Sequence, residues 1–380
     1  MSVFFRTDAS LVMGSGHVMR CLTLANALRE HGLQSTFVCR EHVGNLCDLI
    51  EEHGFSVVRL PLKKTSECQE SALAHASWLG ASQMEDAEQT RAAILRADAR
   101  PAWLIVDHYA LDQNWETTLR PIVDRLMVID DLADRSHDCA ILLDQNFFID
   151  SENRYIHKIP VDCITLLGPA YALLQPLYAK LHSNARLKAG PIRRIFVFFG
   201  GADNENFTGR TISAFQRLGR PDIQLDVVMT GKSPYHEVVQ KQIYGHPNIC
   251  LHGFLPSLGP LMNKADLAVG AGGATTWERL CLGLPSVVIS LAENQEKVSM
   301  DLAAEGLIKY LGDKKKVGVD EIYQTLATLI DTPSTLDWSA KCFEACDGKG
   351  ALRVAHQLLS LTAIRSGDLG VNEKTTKVLA

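Results

Sequence analysis

Short apolar runs rich in β-branched and aromatic residues alternate along this chain with longer stretches whose apolar positions recur at helical spacing. Val3-Phe4-Phe5 predicts a strand, and residues 18–30 a following helix. Thr36-Phe37-Val38 and Val57-Val58 predict further strands. A helical stretch over 86–97 leads into Trp103-Leu104-Ile105-Val106, which stops at Asp107. The run 126–129 stops at Asp130, and 140–143 at Asp144. Apolar strands that each end on a polar residue indicate a parallel sheet with helices on both faces. Ligands of such sheets bind beyond the carboxyl ends of the strands. The terminal aspartates therefore point towards a site, although aspartate also ends strands simply as a turn residue.

A polar, basic stretch, LHSNARLKAGPIRR, follows at 181–194 and reads as a linker. A second series then begins, with predicted strands at 195–199, 225–229, 249–251, 267–269 and 286–289. Helices are predicted over 205–217, 236–244 and 276–282, and helices without intervening strands from about 322 to 361. The expected organisation is α/β, with two Rossmann-like domains facing each other across a cleft. Residues 1–182 form the first domain, 183–194 the linker and 195–340 the second domain. C-terminal helices occupy 341–364, and 365–380 is read as a mobile tail.

Composition narrows the class. The chain has 380 residues, 46% hydrophobic and 22% charged, enough for a sizeable core. Its net charge of -6 lacks the global basic signature of nucleic-acid binding. No run is long and apolar enough to span a membrane, and the start reads as a buried strand instead of an export signal. Ten cysteines without a C-x-x-C pair fit free thiols in a reducing, cytoplasmic setting.

Chemistry concentrates in a few loops. Arg6-Thr7-Asp8-Ala9-Ser10 and Gly14-Ser15-Gly16-His17 form a loop between the first strand and helix, where free N–H groups favour an anion or polar ligand. Met19 stands where a dinucleotide fingerprint needs its third glycine, and Asp226 where a triphosphate loop ending in Gly231-Lys232-Ser233 needs its first. A neutral imidazole at His17, in the first turn of the helix, is suited to be a general base; the bland alternative is a capping or packing role. Further on, Gly270-Ala271-Gly272-Gly273-Ala274-Thr275-Thr276-Trp277-Glu278 enters a helix directly after a strand. Its N–H and hydroxyl donors suit a diphosphate, and Glu278 a ribose. Gly200-Gly201-Ala202-Asp203 supplies a second such loop. The chain has no D-x-D motif, so backbone dipoles are favoured over a carboxylate-held metal, and no cofactor is expected. The pair Asp130-Asp131 reads more readily as a strand end than as a cation site.

Together these elements resemble the UDP-2,4-diacetamido-2,4,6-trideoxy-β-L-altropyranose hydrolase family of pseudaminic acid biosynthesis. The likeness rests on the 6–10 and 14–22 segments, Val106-Asp107-His108-Tyr109, Ile129-Asp130-Asp131, the run 167–174, Phe199-Gly200-Gly201-Ala202-Asp203, the run 270–285 and Ala292-Glu293-Asn294-Gln295. It covers about residues 1–310. The family is similar to the peptidoglycan N-acetylglucosaminyltransferase and has the GT-B fold. That likeness implies UDP in the second half, with a backbone group of Leu255 at uracil, Gly200, Gly201, Gly272, Gly273, Thr275 and Thr276 at the diphosphate, and Glu278 at the ribose. It implies His17 as catalytic base, and Arg6, Asp8, Gly14, Gly16, Asp107, His108, Tyr109, Asn294 and Gln295 around the sugar. Gln175 departs from the arginine expected before Pro176. The implied reaction is inverting hydrolysis of a UDP-linked sugar, supplying free sugar for surface glycosylation. The alternatives are a GT-B glycosyltransferase with a sugar or lipid acceptor, and a non-catalytic nucleotide-sugar-binding protein.

Overall fold

The computed structural model describes residues 1–62, 73–97, 100–201, 203–231, 233–332 and 334–366. They form two compact units. The first holds Met1–Asp144, Glu152–Leu166 and the chain from Gly350; the second holds Gln145–Ser151 and Leu167–Lys349.

In the first unit the order is β1 (Ser2–Thr7), α1 (Gly16–Glu30), β2 (Gln34–Arg40), α2 (Cys47–Glu52), β3 (Ser56–Leu60), α3 (Gln83–Leu95), β4 (Trp103–Asp107), α4 (Gln113–Leu119), β5 (Arg125–Ile129), β6 (Ile141–Asp144) and β7 (Ile164–Leu167). The sheet runs β3-β2-β1-β4-β5-β6-β7, with β1 parallel to both β2 and β4. β1 is buried from Val3 to Thr7, and Phe5 stacks on Phe37 of β2 at 4.8 Å. Residues buried on both faces explain why the strands read as unbroken apolar runs. Gly32 ends α1 in the left-handed region at φ 80°, while the Leu33 N–H returns to the Leu28 carbonyl.

The second unit contains α5 (Pro176–Asn184), β8 (Arg194–Phe198), α6 (Phe207–Arg217), β9 (Gln224–Val228), α7 (His236–Gln242), β10 (Ile249–His252), α8 (Gly259–Lys264), β11 (Leu267–Ala271), α9 (Thr275–Cys281), β12 (Ser286–Ser290), α10 (Glu296–Ala304), β13 (Lys309–Asp313), α11 (Val319–Ile330) and α12 (Leu336–Ala345). Its sheet runs β10-β9-β8-β11-β12-β13. Alternate residues of β8 enter opposite core layers. Ile195 and Val197 pack with Phe207 and Ile212, whereas Phe196 packs with Trp277 and Leu280. In each sheet the strand order reverses once, between β1 and β4 in the first and between β8 and β11 in the second.

The division between the units differs from the sequence-based boundary at 183–194. Tyr178 of α5 belongs to the second unit's core, so the chain enters that unit well before the basic stretch. The last helix, α13 (Gly350–Ser366), belongs to the first unit and packs on α1. The Trp103 indole donates to Thr362 Oγ1 at 2.9 Å, which binds α13 to β4. A separate C-terminal helical region over 341–364 is therefore replaced by two helices in different units. Two strands escaped the sequence reading, because neither is a run of buried residues: β7 has only Leu166 buried and β13 none. The expected mobile tail falls almost wholly outside the described residues. No helix among the described residues is long and apolar enough to cross a membrane.

Candidate functional site

Both strand-order reversals carry the loops that the sequence singles out. In the first unit, β1 leads through the 8–15 loop into α1, and β4 ends beside it on Asp107. His17 is 8% exposed, and its Nδ1 lies 2.6 Å from Asp107 Oδ1. Arg20, one turn further along α1, donates to both oxygens of the same carboxylate at 2.7 Å and reaches Asp131 Oδ2 at 2.7 Å. Burial by itself raises the Asp107 carboxyl, but Arg20 and His17 outweigh it and hold it well below the usual carboxylate range. An ionised Asp107 can accept a proton from Nδ1 of the ring, an arrangement that leaves a lone pair on Nε2. Tyr109 meets the His17 ring edge to face at 4.6 Å and donates its hydroxyl to Asp131 at 2.7 Å. His75 and Trp78 pack on Tyr109 from outside, at 5.4 and 5.8 Å between ring centroids. A Cβ at Gly16 would meet nothing within 4 Å, so space remains open beside His17.

Four expected substrate contacts are placed differently. Arg6 and Asp8 are fully buried and bonded to each other at 2.7 and 2.9 Å. Asp86 accepts from Arg6 at 2.6 and 2.9 Å and from Arg40 at 2.7 Å, closing a network that ties β1, β2 and α3 together. His108 is 2% exposed, accepts the Ala110 N–H on Nδ1, and has Nε2 3.3 Å from Asp8. Asp107 is likewise fully buried and acts on His17. Charges this deep require partners inside the protein, and that requirement turns these side chains away from solvent. Asp130 and Asp131 are both matched by arginines, Arg135 at 2.9 Å and Arg20, so they form no cation site. No metal-binding cluster occurs among the described residues.

In the second unit the two glycine loops behave differently. Gly200 adopts φ 94°, but the N-terminal N–H groups of α6 are already occupied. Phe207 and Thr208 donate to Asp203 at 2.9 and 2.8 Å, and Gly209 donates to Asn206. α9 has no side-chain cap. Gly273 lies near Gln295, whose Oε1 accepts from the Leu291 N–H at 2.9 Å while Nε2 would sit 3.7 Å from a Cβ on Gly273. Asn294 beside it is exposed, and Thr275 is half-buried. Thr276 departs from expectation, being 2% exposed with its hydroxyl held by Arg279 Nη2 at 2.9 Å. Leu255 packs its side chain against the core. Gln175 sits half-buried just before α5.

Buried polar atoms without hydrogen-bond partners gather around this turn: Glu278 Oε2, Arg279 Nε and Nη1, and Ser299 Oγ. Burial pushes the Glu278 carboxyl up to about 7, with Tyr178 and Arg279 opposing only in part. Native proteins rarely leave such groups unsatisfied except where water, an ion or a ligand completes them. Sequence reasoning missed Arg20, His75, Trp78, Tyr178, Arg279 and Ser299. Arg20 stood within the quoted 14–22 segment and Arg279 one residue beyond Glu278; nothing in the local pattern marks the others.

Comparison with known proteins agrees with the fold. Residues 194–349 match the glycosyltransferase family 28 C-terminal domain. The UDP-2,4-diacetamido-2,4,6-trideoxy-beta-L-altropyranose hydrolase of Campylobacter jejuni is 24% identical over 307 residues, 80% of this chain and 97% of that protein. The spore coat polysaccharide biosynthesis protein SpsG of Bacillus subtilis is 30% identical over 198 residues, 51% of this chain and 58% of that protein. The chain spans less than two-thirds of the length of the first curated relatives it matches. Among solved structures, MurG of Acinetobacter baumannii superposes with a TM-score of 0.65 at 13% identity, covering 94% of this chain and 99% of that one. The chain thus has the GT-B fold, matches the glycosyltransferase family 28 C-terminal domain over residues 194–349, and is similar along most of its length to the Campylobacter UDP-sugar hydrolase.

Proposed function

We propose that this protein hydrolyses a UDP-linked diacetamido-trideoxy sugar at the anomeric C–O bond, with inversion, releasing UDP and free sugar. The observation that carries the reading is the imidazole of His17, fixed through Nδ1 by a carboxylate that Arg20 holds ionised. Its Nε2 takes a proton from water as the oxygen attacks C1, and the C1–O bond breaks as UDP departs. Asp107 stabilises the imidazolium that forms. Gly272, Gly273 and Thr275 are assigned to the diphosphate, Glu278 to the ribose, a Leu255 backbone group to uracil, and Asn294 and Gln295 to the sugar side. Gly200 and Gly201 keep an auxiliary place near the diphosphate, by backbone approach only.

Support for a hydrolase comes from the Campylobacter relative, and the match to a glycosyltransferase domain favours transfer to an acceptor as the second reading. Proton NMR of the protein with UDP-sugar and no acceptor separates them. Hydrolysis gives stoichiometric UDP and free sugar, with the inverted anomer appearing first. An intact UDP-sugar that turns over only when a sugar or lipid acceptor is added overturns the hydrolase reading.

A further inference from the structure

Arg279 is the least satisfied charged group at the glycine-rich turn. It is 1% exposed, and only Nη2 is bonded, to the Ala271 carbonyl and Thr276 Oγ1 at 2.9 Å each. Nε and Nη1 are sealed from solvent without an acceptor, and Arg279 forms no ion pair among the described residues. Its sequence neighbour Glu278 forms no ion pair with it, and burial pushes that carboxyl up to about 7. Burial brings the arginine itself down to about 10, which shows the cost of that isolation. Space for it is made at Gly270, where a Cβ would lie 2.6 Å from Nη1 and 2.5 Å from the Phe198 carbonyl oxygen. Any side chain at 270 would expel the guanidinium from its place at the reversal between β8 and β11.

An uncompensated buried cation is strongly unfavourable unless something else in its surroundings uses the charge. A diphosphate lying on the 272–275 turn would be that counter-charge. At the effective dielectric of a protein interior, a fixed positive charge acts over several ångströms without direct contact. We infer that Arg279 is the buried counter-charge for the nucleotide diphosphate, a positioning residue acting through the turn it holds. The inference rests on the assignment of this turn to the diphosphate and adds the group that neutralises it.

A graded set of ligands tests it, because UDP, UMP and uridine share the nucleoside and differ in charge. In calorimetric titrations, Arg279→Met should weaken UDP at least about tenfold more than it weakens uridine, with UMP between the two. A merely structural role would weaken all three alike, and that result overturns the inference. Arg279→Lys keeps the charge while losing the flat fork, so it should preserve the ratio of UDP to uridine affinity; loss of that ratio in a folded Lys variant also overturns it. Should Arg279→Met not fold, the Lys variant alone decides. Wild-type protein that binds none of the three removes the nucleotide assignment itself, whereas wild-type binding with an unchanged ratio in Arg279→Met removes only the role of Arg279.

Discussion

A water molecule attacking an anomeric carbon must lose its proton to a group that is neutral and in the right tautomer at that moment. In the proposed mechanism His17 is that group and Asp107 sets its tautomer, and the two side chains make separable predictions. His17→Ala is expected to lower turnover at least about a hundredfold while UDP affinity is retained. Asp107→Asn should leave the ring in place but let it adopt the wrong tautomer, lowering turnover about 10²-fold to 10⁴-fold with KM little changed. Single-turnover kinetics and UDP titration check both, and near-normal turnover in His17→Ala would remove the imidazole from the mechanism. Glu278 makes a prediction about pH. Burial raises its carboxyl to about 7 in the unliganded protein, and only the ionised form accepts from both ribose hydroxyls. Uridine carries no phosphate to complicate the titration, so its affinity should rise about tenfold from pH 6 to pH 8, with proton release on binding. Glu278→Gln should bind uridine more weakly and without that pH dependence. A wild-type affinity that is flat across this range would contradict the ribose assignment.

At the scale of elements, the sheet of the first unit is tied to α4 by a buried imidazolium. His137 lies 2.7 Å from Glu116 of α4 and 3.8 Å from Asp130 at the end of β5. Burial lowers its affinity for a proton, but Asp130 and Glu116 outweigh burial and raise it to about 9. A raised imidazole contributes stability that is fully present below its ordinary value of 6.5 and is lost as pH rises through about 9. Thermal melts between pH 7 and 10 should therefore show a fall in Tm that His137→Gln lacks. His137→Ala should destabilise by about 3–5 kcal/mol at pH 7, because buried Glu116 loses its cationic partner and Asp130 is left with Arg135. Nothing in the sequence near His137 announces this, since Glu116 lies 21 residues away. The strands β1, β4, β8 and β11 were legible for the opposite reason. Residues buried on both faces leave a local signature, an unbroken apolar run, that needs no knowledge of the partner. β7 and β13 lack that signature and appeared only in the fold.

For the whole molecule, the assignment of nucleotide to one unit and base to the other predicts how UDP protects the chain. Hydrogen exchange with UDP alone should slow the 253–258, 270–278 and 291–296 segments of the second unit and leave the rates at 14–20 unchanged. Intact UDP-sugar, presented to His17→Ala so that it is not consumed, should slow both sets. Protection by UDP confined to the first unit would reverse the assignment.

Local chemistry in the sequence determined the two α/β series, the glycine loops that enter α1 and α9, and the imidazole at the start of α1. Each of these is written in consecutive residues, by periodicity or by a turn that needs glycine. Tertiary structure alone decided which polar residues face outward. Arg6, Asp8 and His108 sit in motifs that read as a binding loop, yet all three are buried: Asp86 of α3 accepts from Arg6, the Arg40 N–H of β2 donates to Asp8, and Asp8 lies beside His108. Asp107 changed from ligand contact to partner of His17 once β4 came to lie beside β1. Thr276 turned inward towards Arg279, and the last helix joined the first unit through Thr362. Burying a charge or a hydroxyl is favourable only when a partner is present, and such partners come from distant parts of the chain.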